Sequence, residues 1–522
     1  MQQSTIKAYF RSFSLLEKII ATILFYTIII SGIFIIHNIY LQNTKLINVP
    51  GGVYSEGTIG TVDYIDPINA RTPIEKEIAH LVFRGLLRYN PLTEDFEPDI
   101  ARSWLVSDDG LTYTFTLKDS VKFHNDQPIT ADDIIGTFKL ADHKPFTDIK
   151  ITKISDSEIT FTIPQKDAFF LKNFTLGIVP TSLLSTDDPW ASLRSESFSR
   201  KPIGSGVFSV SEIIKKPQEN IIILNSTLKS RTQKLLIHVY QDLDTLKANL
   251  KYLNGIRSVP AEIREELITQ GWQAHDLYVP RYTVLFFNTN AQGPTSLANF
   301  RLALKYAINK EKLVTIVPHT QVMNFPLSSF DSQIISYNKE RAASLLFDTG
   351  WGVYDGDTKK LRRNKDQTPL VLDLITTEDI DFLRAAKEIK RQFEELGITI
   401  NTKAMPFEEI QKTVLDTHNY QLLLLGQDIG LDADFRYYLH STQVNSPGLN
   451  ISQYKSAEAD VILSKIAESS DKTERDDLLK QLKDLINKDI PMVFLFRSFD
   501  VYASAPNTFV SFPEKIISEF FL

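Results

Sequence analysis

The chain has 522 residues, 43% of them hydrophobic and 23% charged, enough for two or three domains with buried cores. It contains no cysteine, which excludes disulfides, thiolate metal sites, a cysteine nucleophile and the acylated cysteine of a lipoprotein. A net charge of −7 argues against a nucleic-acid binder, which would show a basic face.

The first element is an uncharged apolar run, Ile19 to Ile36. As a helix it would be roughly 27 Å long, enough to cross a bilayer core. Lys7, Arg11 and Lys18 precede it, and the first basic residue after it is Lys45, a bias that keeps the N-terminus cytoplasmic. The run is long for a signal peptide and no small-x-small site follows it, so an uncleaved anchor is expected. This gives a cytoplasmic segment 1–18, a transmembrane anchor 19–41 and a stalk 42–50, with the bulk of the chain extracytoplasmic at the cell membrane.

Beyond the stalk, Thr112–Lys118 alternates apolar with polar and predicts a half-buried strand. Thr130 followed by Asp133 marks a helix start. The segments 149–154 and 158–163, joined through Ser155-Asp-Ser157, predict a hairpin. From about Tyr282 the period changes. Leu297, Phe300, Leu304, Ala307 and Ile308 share one helical face, as do Phe382, Ala386, Ile389, Phe393 and Leu396. The second helix lies between an apolar strand at 370–375 and another at 398–402, and Gly397 stops it. That is the strand–helix–strand unit of a parallel sheet. A helix over about 407–416 and a strand over 420–426 follow, placing Asp428 just past a carboxyl end, where open α/β sheets bind ligands.

Catalytic signatures are lacking. There is no G-x-S-x-G and no H-E-x-x-H, and Gly204-Ser-Gly206 reads as a domain-crossing loop. The nine histidines are scattered, with His418 and His440 as single loop or helix-end residues. Neither enzyme activity nor a metal or other cofactor is expected.

Eight segments in order resemble one family. They are Ile65-Asp-Pro-Ile-Asn69; Val82 to Tyr89; Pro98 to Trp104; Ser107 to Lys118 with Val121-Lys-Phe-His124 and Ile129 to Ile134; Pro202-Ile-Gly-Ser-Gly-Val-Phe208; Phe287-Asn-Thr-Asn290; Phe300 to Asn309; and Ala342 to Trp351. Together they resemble the extracytoplasmic solute-binding proteins of peptide- and nickel-type ABC transporters, the dipeptide/oligopeptide-binding family. Two positions depart from the pattern. Asp126 replaces a turn glycine, which aspartate tolerates in the left-handed region. Gly255-Ile-Arg257 lacks the usual acidic residue.

The resemblance implies an α/β, two-lobed periplasmic-binding-protein-like fold of the type II, large peptide-binder class. To this are added an α+β subdomain at about 76–201 and the N-terminal transmembrane helix. Lobe 1 is expected at 51–280, lobe 2 at 281–490, and a C-terminal return to lobe 1 at 491–522. It further implies capture of di- or oligopeptides between the lobes and delivery to an ABC permease and its ATPase, by a monomer with no nucleic-acid partner. Gly426-Gln427-Asp428 resembles the loop whose first aspartate holds a peptide's amino group, which makes Asp428 the leading ligand candidate. Here the loop is one residue longer, and Ala433 stands where proline is usual. Tyr282 and Asn288 are further cleft candidates against ordinary strand roles. Asp66 is expected to fix its own loop, and Asp432 and Asp434 to sit in a solvated turn or helix start. A nickel, metallophore or other small-solute binder, or a membrane-tethered sensor on the same fold, are the alternatives.

Overall fold

Among the described residues of the computed structural model, eleven strands make one mixed sheet. The structure describes residues 14–43, 52–90, 93, 95–141, 148–185, 187–195, 198, 200–228, 232–326, 337–354, 360–429, 434–445 and 448–508. In chain order the strands are β1 (Gly52–Ile59), β2 (Phe208–Lys216), β3 (Glu219–Ser226), β4 (Thr232–Tyr240), β5 (Gly255–Ile256) and β6 (Gln273–Phe287). They continue with β7 (Thr320–Val322), β8 (Val371–Thr377), β9 (Thr399–Met405), β10 (Leu422–Asp428) and β11 (Met492–Ser504). Their order across the sheet is β9-β8-β10-β6-β11-β5-β1-β4-β3-β2, with β7 also on β11.

Two strands run through both halves. Residues 273–278 of β6 pair with 499–504 of β11, and residues 282–286 pair with 492–497. Between these ladders Val279, Pro280 and Arg281 stand opposite Ser498 alone, so the register shifts. Proline has no N–H to give the ladder, and such a bulge bends and twists the strand pair. The bulge breaks the β6–β11 ladder into an earlier and a later part, and hinge names that break.

On the later side of the hinge, β6 is buried on both faces, which explains why residues 282–287 are apolar except for Thr283. Tyr282, Val284 and Phe286 enter one core with Phe494 and Leu423. Leu285 and Phe287 enter the other with Phe300, Ala386 and Phe393 from the helices Ala298–Ala307 and Ile380–Glu394. Strands β8 and β9 are parallel and joined through the second of these helices, as the crossover pattern predicts. The helix stops at Gly397, whose φ of +81° is a conformation favouring glycine.

Residues 101–162 hold a separate four-stranded antiparallel sheet, including the predicted strand at Thr112–Leu117 and the hairpin Lys150–Ser155/Glu158–Thr162. Phe115, Phe138, Phe161 and Phe174 are at most 2% exposed and pack ring on ring beneath it. Each such side chain contributes roughly 1.5–3 kcal/mol by burial. The helix Ala131–Leu140 starts as expected, with the Asp133 carboxylate accepting the Thr130 N–H at 3.0 Å. Asp126 is left-handed, with φ of 66°, in the turn where glycine is usual. Gly204 belongs to a close approach: a methyl there would lie 1.9 Å from the Val82 carbonyl oxygen.

The helix Leu15–Asn43 stands as an element of its own, 29 residues long. Apolar side chains such as Phe25, Ile28 and Ile30 are 61–68% exposed along it. Side chains at 15, 18, 21 and 36–43 fall outside the description, and among the described residues no helix is long and apolar enough to cross a membrane. Residues 1–13 of the expected cytoplasmic segment, the stalk from 44 on, and the C-terminal return from 509 on also lie outside it.

Candidate ligand cleft

Strand β10 runs parallel to β8 and ends at Asp428, opposite Arg281 in the bulge, and carboxyl ends of this kind are where open α/β sheets bind ligands. Strand β10 runs further than predicted, so Asp428 is its last residue rather than the first beyond it. The cause is pairing with β6, which sets Asp428 against Arg281, Gln427 against Tyr282 and Gly426 against Thr283. Four of the five predicted site residues, Gly426, Gln427, Asp428 and Tyr282, therefore share one corner. Gly426 and Asp428 are exposed, whereas Gln427 is 6% exposed and its Oε1 has no hydrogen-bond partner. The Thr377 hydroxyl at the end of β8 is likewise buried without a partner. Unpaired buried acceptors are costly, which makes this corner chemically unfinished.

Tyr282 is buried, and its hydroxyl donates to the Pro326 carbonyl at 3.0 Å and meets the Tyr278 hydroxyl at 2.7 Å. Burial, then the neighbouring Tyr278, raises its pKa. Asn288 lies beyond the far end of β6, away from that corner. Its amide donates to the His418 carbonyl at 2.8 Å and its Oδ1 accepts the Asn290 N–H. Asp66 holds its own loop as expected, accepting from the Ile68 N–H and the Asn69 amide, each at 2.8 Å.

Asp434 stands at a helix start as expected, its Oδ1 accepting the Arg436 N–H at 3.1 Å before the helix Arg436–Leu439. It is 2% exposed rather than solvated, because Arg436 neutralises it through Nε and Nη2 at 2.9 and 2.7 Å. The same Arg436 Nη2 reaches Asp167 at 2.8 Å, and the Ala168 N–H donates to Ala467 at 2.7 Å. These contacts tie the small antiparallel sheet's domain to the later half of the molecule. Asp432, in residues 430–433, lies outside the described residues.

Three arginines near the hinge carry structure or charge that the sequence reading missed. Arg257 is buried and paired with both Glu56 and Glu77. Burial alone would lower its pKa, but the two carboxylates outweigh that and raise it. The Tyr502 hydroxyl donates to Glu56 at 2.8 Å, and Ser258 donates to Asp500 at 3.1 Å. Burial, with mutual repulsion, holds Glu77 above the ordinary carboxylate range, and burial does the same for Asp500. Arg281 and Arg497, by contrast, make no ion pair among the described residues. The available signals were a missing acidic residue at 257 and a lone arginine after the apolar run Met492–Phe496. Among the described residues no group of three or more His, Asp or Glu side chains fits a metal ion.

Comparisons with known proteins bear on the family and the fold. Residues 95–447 match the family model "Bacterial extracellular solute-binding proteins, family 5 Middle". The chain is 22% identical over 511 residues to the oligopeptide-binding protein AppA of Bacillus subtilis, covering 89% of this chain and 88% of that protein. It is 25% identical over 347 residues to the nickel-binding periplasmic protein of Escherichia coli, covering 59% and 63%. The solved structure of Campylobacter jejuni NikZ with Ni(L-His) superposes with a TM-score of 0.70 at 23% identity, covering 90% of this chain and 97% of that one. That of B. subtilis AppA with a nonapeptide gives 0.70 at 22%, covering 90% and 98%. At these identities the structural likeness establishes the two-lobed α/β fold.

Proposed function

The chain belongs to the bacterial extracellular solute-binding proteins of family 5, and from that premise we propose that it captures peptides for an ABC importer. In this reading it holds a di- or oligopeptide between two lobes, 51–280 and 281–490, and hands it to the permease and its ATPase. The observation that carries the reading is the corner where Asp428 and Gln427 end β10 against Arg281 and Tyr282, beside the hinge. A peptide ammonium buried there needs a carboxylate, because an unpaired buried charge costs several kcal/mol. Asp428 supplies it, the unpaired Gln427 Oε1 accepts a further N–H, and Gly426 leaves room for ligand backbone. Tyr282 braces the corner rather than binding, since its hydroxyl is already engaged. Asn288 holds the turn after β6.

The uncharged apolar run 19–36, with its basic residues on the N-terminal side, supports an N-terminal membrane anchor. Anchoring would keep the binder near its permease at high local concentration.

Mass spectrometry of the small molecule that co-purifies with the protein tests the ligand class, and a peptide is expected. Asp428→Asn should weaken binding of free-amine peptides tenfold or more by calorimetry. Unchanged affinity would remove Asp428 from the site.

A further inference from the structure

We propose that Arg497 selects ligands by an anionic group, holding a carboxylate of the bound solute at the hinge end of the cleft. The inference rests on the peptide-capture reading above. Arg497 follows directly on the buried run Met492–Phe496 and is itself half-buried. Its guanidinium lies over the rings of Tyr278 and Phe499, 5.3 and 5.1 Å from their centroids. Nε donates to Gln321 Oε1 at 2.9 Å, and Nη2 donates to the same oxygen. A guanidinium has five N–H donors in a fixed fork. One amide oxygen engages two of them, and no carboxylate among the described residues pairs with the rest. The two aromatic rings lie near the guanidinium carbon and add cation–π attraction to its position. A bidentate carboxylate then gains more than it would in the open.

The strand register places this cation beside the corner already described. Gln427, Tyr282, Arg497 and Gln321 face one another across β10, β6, β11 and β7. Arg497 is therefore two strand spacings from Gln427, roughly 10 Å between backbones. Tyr282 pairs with Gln427 on one side and with Arg497 on the other, so its strand separates the two. An extended peptide spans at most ~3.3–3.6 Å per residue, so a short peptide with its amino group at Asp428 brings an anionic group within reach of Arg497. That group is either the terminal carboxylate or an acidic side chain.

The test presents the full chain in detergent with two equimolar tripeptide pools, one with free carboxyl termini and one amidated, and identifies retained peptides by mass spectrometry. Wild type should retain anionic peptides at least tenfold over neutral amides. Preference for every free acid assigns the terminal carboxylate, and preference for Asp- or Glu-containing peptides in both pools assigns the side chain. Arg497→Gln should lose the preference while still retaining neutral amides, and Arg497→Lys should restore part of it. Equal retention of anionic and neutral peptides by wild type needs no variant and overturns the proposal, leaving peptide capture standing. Loss of the preference in Arg281→Gln but not in Arg497→Gln overturns it as well. Retention of no peptide from either pool overturns the peptide reading, and this inference with it.

Discussion

Each side of the hinge carries an arginine, and the surroundings treat the two in opposite ways. Arg257 is 4% exposed and met by Glu56 and Glu77, with Tyr502 bonded behind Glu56. Arg497 is half-buried, lies over two aromatic rings, and has one amide oxygen for a partner. A buried cation needs its countercharges inside the fold, since removing one partner strands the others in a low dielectric. A cation at a cleft wall can leave its fork open to a ligand, because water screens it until the ligand arrives. The first arginine belongs to the architecture and the second to recognition.

The largest effect that sharpens this contrast is on stability. Arg257→Met leaves Glu56 and Glu77 uncompensated and should cost about 3–5 kcal/mol in urea unfolding. Adding Glu56→Gln and Glu77→Gln to it should recover much of that loss. If Arg257→Met alone is neutral, the architectural role falls.

Arg436 is a third, intermediate case, since it binds buried Asp434 and reaches Asp167 beside the small antiparallel sheet. Arg436→Gln should destabilise by about 1.5–3 kcal/mol, the range for hydrogen bonds to charged groups. It should also widen the distance between labels on the two lobes. An unchanged interlobe distance would confine Arg436 to its own loop.

Acidity offers a subtler probe of the paired side. Glu77 and Asp500 have native pKa values raised above their ordinary 4.5 and 3.8. Between the ordinary and the raised values the native state holds more protons than the unfolded state. The stability they contribute is complete below the ordinary values and is lost as pH rises through the raised ones. Glu77→Gln should flatten that slope in a series of melts across the acid range. The smallest effect belongs to Arg497→Gln, whose unfolding free energy should stay within about 0.5 kcal/mol of wild type. A large loss there would erase the contrast.

Local patterns carried much of the fold. The crossover around Ile380–Glu394, the hairpin at 150–162, the Thr130 start and the left-handed Asp126 all depend on residues close in sequence. The hinge and the charge pairing depend on distant ones. Arg257 meets Glu56 and Glu77 across 201 and 180 residues, and no periodicity links them. Asp434 read as solvated for the same reason: its burial is set by Arg436, which also binds Asp167, 269 residues away. Within the candidate site, Asp428 was legible because it ends an apolar strand. Arg497 was not, because its meaning comes from the rings and strands on either side.

Strand β11 is the last of the eleven in chain order, yet it lies between β6 and β5 and pairs on both sides of the hinge. During synthesis, then, neither half can close its sheet until residues 492–504 have been made. The central ladder of the sheet is therefore the last part of it that the growing chain can complete, after the small antiparallel sheet has every strand in hand.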